Sequence, residues 1–333
     1  MKPLLFALPG AQDWMAGLAA AWPCNIGNLT LHRFPDGECC PRFDTDLNGR
    51  NVVLVAALAG ASGDLPDSRL FALYLAACVA RELGAGNVGL VLPYLPYMRQ
   101  DARFAAGEGI TARHVGRLLS GCADWLVTID PHLHRYTSLS QPYGIPAWAV
   151  QSAPAIAQWV AANVARPVLV GPDQESAQWV EQVARLAHCP YIVLHKERRG
   201  DRDVAVAADQ QGLGAAAGCT PVLLDDIASS GRTLAAAVSL LREAALPPPV
   251  CVVVHALFGG DALDVLRAAG PAGIVSCNTV PHATNRIDVL PALADAARQL
   301  YPALPDNPDN PGMNPPEEQK PWKTDNQHRP TCR

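Results

Sequence analysis

Apolar residues along this chain come in short, unbroken runs rather than in clean alternation with polar ones. Such runs are "NVVLVAALAG" (51–60), "NVGLVLPYLPY" (87–97), "DWLVTID" (124–130), "PVLVGPD" (167–173), "PYIVLHK" (190–196), "PVLLDDI" (221–227) and "VCVVVHALF" (250–258). Their apolar stretches are brief, rich in β-branched residues and bounded by Pro, Gly or charge, as in strands buried on both faces of a parallel sheet. Between them lie Ala/Leu-rich stretches, and residues 68–83 carry helical periodicity. Strand and helix in alternation predict an α/β, doubly wound class. The opening "MKPLLFALPG" reads as a first buried strand, because its apolar run is short and Pro9 interrupts it. "LFALYLAACVA" (70–80) is too short to span a bilayer.

Residues 51–96 give strand, small-residue turn, Ala-rich helix and strand, and residues 221–258 give the same order. Either the chain carries an internal duplication, or these are two ordinary βαβ units. The expected organisation is two similar α/β domains, 1–145 and 146–304, joined near 141–155. A Pro-, Asn- and Asp-rich segment, 305–333, lacks an apolar period and is expected to be a mobile tail.

Composition narrows the partners. The chain has 333 residues, 49% hydrophobic and 17% charged, enough for two ordinary domains with a large core. A net charge of -5 argues against a general nucleic-acid binder, but not against small anionic ligands held by a few cations. The ten cysteines are scattered without CxxC spacing, which disfavours a zinc site and suits a reducing, cytoplasmic setting. Only four lysines occur, and Lys196 alone lies away from the chain ends, within "HKERRGDRD" (195–203).

The sharpest chemistry lies in "PVLLDDIASSGRTLAAA" (221–237). An apolar strand ends in Asp225 and Asp226. Ser229, Ser230, Gly231, Arg232 and Thr233 then form a small polar loop leading into a helix. Amides at a helix N-terminus bind phosphate, and hydroxyls add donors. The two carboxylates suit vicinal sugar hydroxyls or a hydrated Mg²⁺. The plain alternative is a helix cap after a solvated turn. Four further segments carry candidate chemistry. Asp36-Gly37-Glu38 reads as a β-turn on its own. Arg99, Gln100 and Asp101 follow a strand, with Tyr94, Tyr97 and Phe104 close by in sequence. His132 and His134 alternate after Asp130, and Asp173 follows a strand at the edge where open α/β sheets bind ligands.

The 221–237 motif resembles the ribose-5-phosphate loop of the phosphoribosyltransferase fold. In their joint order, the segments resemble the ribose-phosphate pyrophosphokinases, or phosphoribosyl pyrophosphate (PRPP) synthetases, over roughly residues 1–300. The resemblance implies ATP binding by Phe34, Asp36, Gly37 and Glu38, commonly supplied to a neighbouring subunit's site, and by Arg99, Gln100 and Asp101. It implies metal-linked roles for His132 and Asp173, with Mg²⁺ as cofactor. It also implies a flexible catalytic loop opened by Lys196 and Arg198, and ribose 5-phosphate binding by Asp225, Asp226 and Ser229 to Thr233. The implied reaction transfers the β,γ-diphosphoryl group of ATP to the C1 hydroxyl of ribose 5-phosphate, giving PRPP and AMP. The implied assembly is a homo-oligomer, a dimer or larger, up to a hexamer, acting without nucleic acid or membrane.

Three departures from the family pattern stand out. Glu175 and Ser176 replace two glycines after Asp173, Ser229 replaces an Asp, and residues 135–149 replace a Gln- and Phe-rich flap. The alternatives are a PRPP-consuming phosphoribosyltransferase, a non-catalytic regulatory subunit, and a diphosphokinase acting on another phosphorylated sugar.

Overall fold

The computed structural model describes residues 2–59, 65–133, 135–198, 204–207 and 216–301. The expected tail and His134 lie outside these residues. The first half contains β1 (Leu4–Ala7), α1 (Gln12–Ala21), β2 (Asn25–Ile26), β3 (Leu29–Arg33), β4 (Cys39–Phe43), β5 (Asn51–Val55) and α2 (Pro66–Glu82). It continues with β6 (Asn87–Leu92), α3 (Thr111–Ser120), β7 (Trp125–Ile129), α4 (Ser140–Tyr143) and β8 (Ala147–Val150). The second half begins with α5 (Ala153–Asn163), β9 (Pro167–Gly171), a 3₁₀ turn (Gln174–Ser176), α6 (Ala177–Ala187) and β10 (Tyr191–Val193). Next come β11 (His195–Arg198), β12 (Val204–Ala207), β13 (Thr220–Ala228), α7 (Arg232–Glu243) and β14 (Val250–Ala256). α8 (Ala262–Ala268), β15 (Gly273–Cys277), β16 (Asn285–Ile287) and α9 (Leu290–Leu300) complete it.

Two six-stranded sheets result, ordered β2-β1-β5-β6-β7-β8 and β10-β9-β13-β14-β15-β16. Every neighbouring pair in both sheets is parallel. The two halves therefore repeat one plan, and the segments 51–96 and 221–258 occupy equivalent places in it. Each half also inserts an antiparallel hairpin after its second strand, β3–β4 in the first and β11–β12 in the second. β5 and β7 are buried along their whole length, as their mainly apolar runs predict, with Asn51 and Thr128 buried among them.

One continuous core fills the space between the sheets, with Leu5, Val53 and Val127 on one side and Leu169, Val222 and Val252 on the other. The chain exchanges elements across this core. β8, beyond the expected boundary at 145, is the edge strand of the first sheet. α9, from the far end of the described chain, packs on α1, β7 and β8. Asn51 Nδ2 donates to Tyr301 Oη at 2.9 Å, and the Trp22 ring meets Tyr301 edge-on. Buried apolar surface, not a linker, thus fixes the relation of the halves.

"PYIVLHK", expected as one strand, divides at buried Leu194. Its first part stays in the second sheet as β10. Its second part leaves as β11 and pairs with β12.

Candidate active site

β13 runs through Ala228, so Asp225 and Asp226 lie within the strand rather than beyond its end. Asp225 pairs in register with Val253 of β14, and its Oδ1 accepts from the Asp226 N–H at 3.0 Å. Burial holds the Asp225 carboxyl well above its ordinary value, and the charges of Asp226 and Asp173 push it the same way. Three carboxylates from β13 and the end of β9 therefore share one electrostatic neighbourhood.

The loop that follows is held tightly. Gly231 has φ +68, and a Cβ there would meet the Ala262 carbonyl oxygen at 2.6 Å. Glycine alone suits that turn. Ala228 and Ser229 carbonyls accept from the Phe258 and Gly259 amides at 2.8 and 2.9 Å, anchoring the loop to the one after β14. No side chain caps α7, so its first-turn amides are left without a side-chain acceptor. Arg232 is exposed, 3.8 Å from Asp261.

The first half contributes through the end of β7. Asp130 has φ +31, and its N–H donates to the Val150 carbonyl at 2.9 Å. Its carboxylate accepts from the Ser152 amide at 2.8 Å and from the Ser152 hydroxyl. Burial pushes Asp130 up to about 6. Two residues on, His132 Nδ1 stands 2.9 Å from Asp226 Oδ2. A candidate from each half thus meets at the junction of the two strand edges.

Asp173 starts the 3₁₀ turn after β9 and accepts from the Glu175 and Ser176 amides at 3.1 and 3.3 Å. The departures from glycine are accommodated, since Glu175 is exposed and Ser176 Oγ folds back to donate to the Asp173 carbonyl at 2.6 Å. Gln174 Nε2 lies 2.5 Å from His195 Nδ1, which places the start of β11 beside this turn. Lys196 and Arg198 follow, paired through the backbone with Val206 and Val204. The rest of the charged segment, 199–203, lies outside the described residues.

The loop after β6 exposes Arg99 and Gln100. Asp101 is different. Its carboxylate is buried and accepts from Arg135 Nη1 at 2.9 Å, while its second oxygen has no hydrogen-bond partner among the described residues. The Arg135 guanidinium also lies 5.3 Å from the Phe104 ring centroid. Phe34, Asp36, Gly37 and Glu38 form the exposed tip of the β3–β4 hairpin. There Gly37 has φ +94, the Phe34 amide donates to the Glu38 carbonyl at 2.8 Å, and Asp36 Oδ1 accepts from the Glu38 amide at 3.1 Å. These bonds stay within the tip, and β4 packs on α2.

Among the described residues, no three His, Cys, Asp or Glu side chains form a ready-made metal cage. Mg²⁺ seldom needs one, because it binds through one or two carboxylates and keeps water and substrate oxygens. The carboxylates at 173, 225 and 226, with Asp225 raised by burial and by its two acidic neighbours, fit that mode.

Comparison with known proteins places this arrangement. Residues 4–122 match the "N-terminal domain of ribose phosphate pyrophosphokinase", and residues 145–283 match the "Phosphoribosyl transferase domain". A ribose-phosphate pyrophosphokinase of Methanopyrus kandleri is 32% identical over 285 residues, covering 85% of this chain and 94% of its own length. The chain belongs to the ribose-phosphate pyrophosphokinase family. Another relative of that name, from Halobacterium salinarum, is 31% identical over 296 residues, 88% of this chain and all of the relative (100%). The crystal structure of phosphoribosylpyrophosphate synthetase from Mycobacterium smegmatis superposes with a TM-score of 0.77, covering 90% of this chain and 99% of that one. At 23% identity, this last likeness carries the fold. Among the described residues, no helix is long and apolar enough to cross a membrane.

Three residues around the ribose-phosphate pyrophosphokinase motifs escaped sequence reasoning. Arg135 sits on Asp101, Ser152 holds the Asp130 carboxylate, and His255 reaches the Asp130 carbonyl. His255 alone left a signal, as a polar residue in the apolar run "VCVVVHALF". Such a residue needs a buried partner.

Proposed function

We propose that this chain transfers the β,γ-diphosphoryl group of ATP to the C1 hydroxyl of ribose 5-phosphate, giving PRPP and AMP. The observation that carries the reading is the His132–Asp226 contact. It brings the expected metal-linked turn of the first half to the acid pair that precedes the phosphate loop of the second.

In this reaction the amides opening α7, the hydroxyls of Ser229, Ser230 and Thr233, and Arg232 hold the 5-phosphate. Asp225 and Asp226 hold the ribose hydroxyls or metal-bound water. Arg99 and Gln100 hold ATP, and Asp101 braces that loop through Arg135. A neighbouring copy supplies Phe34, Asp36, Gly37 and Glu38, so the working form is a homo-oligomer. His132, Asp173 and the acid pair would hold Mg²⁺, directly or through its water, and the ion would supply charge neutralisation for the phosphates. The C1 oxygen attacks the β-phosphorus in line and its proton passes to solvent. The bond from the β-phosphorus to the α,β-bridging oxygen breaks, and its electron pair leaves with AMP. Lys196 and Arg198 neutralise charge on the transferring group. Catalysis of this kind rests on positioning and charge stabilisation.

The test is direct. Purified protein with Mg-ATP and ribose 5-phosphate yields AMP and PRPP in equal amounts. ADP as product overturns the mechanism. Folded protein without ATP turnover overturns the assignment, in favour of a PRPP-consuming transferase or a regulatory subunit.

A further inference from the structure

His255 lies on β14, fully enclosed at 1% exposure, opposite Ile227 of β13 and so one register step beyond Asp226. An imidazole so placed must satisfy its ring nitrogens within the protein. Nε2 is 3.2 Å from the Asp130 carbonyl oxygen, which can only accept, so Nε2 carries a proton. Nδ1 is 2.9 Å from Thr279 Oγ1. The Thr279 hydroxyl also lies 2.7 Å from the Val254 carbonyl, and either use of its proton leaves the Nε2–H on Asp130. The Tyr94 ring lies 5.0 Å from the imidazole, tilted by 59°, and itself packs with Ala59 and Val280.

Asp130 is tied from three directions, donating through its N–H and accepting through its carboxylate and its carbonyl. Its backbone conformation, φ +31, is one that L-residues rarely adopt and that surrounding structure must enforce. Val150 and Ser152 hold its amide and carboxylate from the first half. His255 holds its carbonyl from the second, 125 positions away. Pro131 limits the turn that follows, and His132 then stands on Asp226.

We propose that His255 is a positioning residue for the reaction. By holding the Asp130 carbonyl across the junction, it sets His132 on Asp226 and registers the strand edge of one half against the other. The inference rests on reading His132 and Asp226 as site residues. It adds a role for a side chain that touches neither substrate nor metal. A histidine that only stabilised the fold would change melting temperature and leave turnover per folded molecule unchanged.

The test compares three variants in the full chain. His255→Leu removes both nitrogens. His255→Gln keeps an amide donor near the place of Nε2. His255→Asn puts its amide near Nδ1, short of Asp130. AMP formation by folded protein is expected to fall roughly 10- to 100-fold in kcat for Leu and Asn, the scale of a misplaced catalytic group, and to return within about threefold for Gln. KM for ribose 5-phosphate should move far less than kcat. In a His132→Ala background, the same His255 changes should cost little more, because His255 acts through His132. Turnover within twofold of wild type in His255→Leu overturns the proposal. So does a loss that multiplies in full upon that of His132→Ala, or equal activity of Gln and Asn, the comparison that decides if the Leu variant does not fold. A crystal structure of the Asn variant separates this inference from the assigned reaction. The His132–Asp226 contact should open there, and an unchanged contact overturns the positioning role even if the wild type makes no AMP.

Discussion

The imidazole of His132 and the carboxylate of Asp226 meet at 2.9 Å although 94 positions and two sheets separate them. The contact joins the end of β7 to the end of β13, so neither half carries the site alone. Groups that act as one unit give non-additive losses. His132→Ala and Asp226→Asn are each expected to lower kcat for AMP formation about 100-fold, and the double variant little further. Steady-state rates of the four proteins check this, and fully multiplicative losses would mean that the two act separately.

Gly231→Ala tests the phosphate loop. The substitution forces φ +68 on an L-residue and drives its Cβ toward the Ala262 carbonyl. Strain of about 1–3 kcal/mol must be relieved by moving the loop. KM for ribose 5-phosphate should rise about tenfold or more while KM for ATP changes little. An equal rise in both would place the loop's contribution elsewhere.

Lys196→Ala should leave ATP binding nearly intact and lower turnover about 100-fold, the scale of one lost charge donor in a closed site. The β11 register with β12 is made by backbone groups, so the hairpin should survive the change. Equilibrium ATP binding beside single-turnover rates separates the two effects, and near-normal turnover would remove Lys196 from the mechanism.

What could be read from the sequence was what is local. A parallel strand is apolar throughout, and an acid pair, a serine-glycine loop and a helix follow one another along the chain, so β5, β7, β13 and the loop after it were legible. β3 and β4, exposed along much of their length, carry no such run, β15 breaks its apolar residues with Gly273 and Ser276, and β16 spans only three residues. β8 is half-exposed at a sheet edge, which is why the expected boundary at 145 cuts it from its sheet. No periodicity records that α9 returns to cover β7 and β8, or that His132 finds Asp226. Asp101 shows the same limit. The resemblance implied an ATP contact for it with Arg99 and Gln100, but no pattern announced that one of its carboxylate oxygens accepts from Arg135, on a loop 34 positions on.

Burial gives His255 a measurable signature in stability. Its imidazole is lowered to about 4 in the folded protein, against about 6.5 when unfolded. Between these values the unfolded chain binds the extra proton, so this group's contribution is full above pH 6.5 and is lost as pH falls toward 4. The loss amounts to about 3 kcal/mol at most. His255→Gln removes it. The melting temperature of the variant, measured without divalent ions, should therefore gain on that of wild type as pH is lowered from 6.5 to 4. A difference that stays constant across that range would show that His255 does not titrate as a buried neutral ring.

The hairpin tip supplies the last test. Phe34, Asp36 and Glu38 are exposed, and the bonds that shape the tip are its own. A side chain that reads a nucleotide base needs a second surface to close against it, and a neighbouring copy provides one. A chain with both Asp36→Ala and Glu38→Ala retains its own Asp226 cluster, while a chain with Asp226→Asn retains its own tip. Each alone should turn over ATP poorly. If the tip serves a partner's site, mixed oligomers rebuild one complete site from the two defective chains. Random mixing in a two-fold dimer should recover about a quarter of the wild-type rate. Mixed oligomers that form, as judged by co-purification of differently tagged chains, but remain inactive would return Phe34 to Glu38 to their own chain's site.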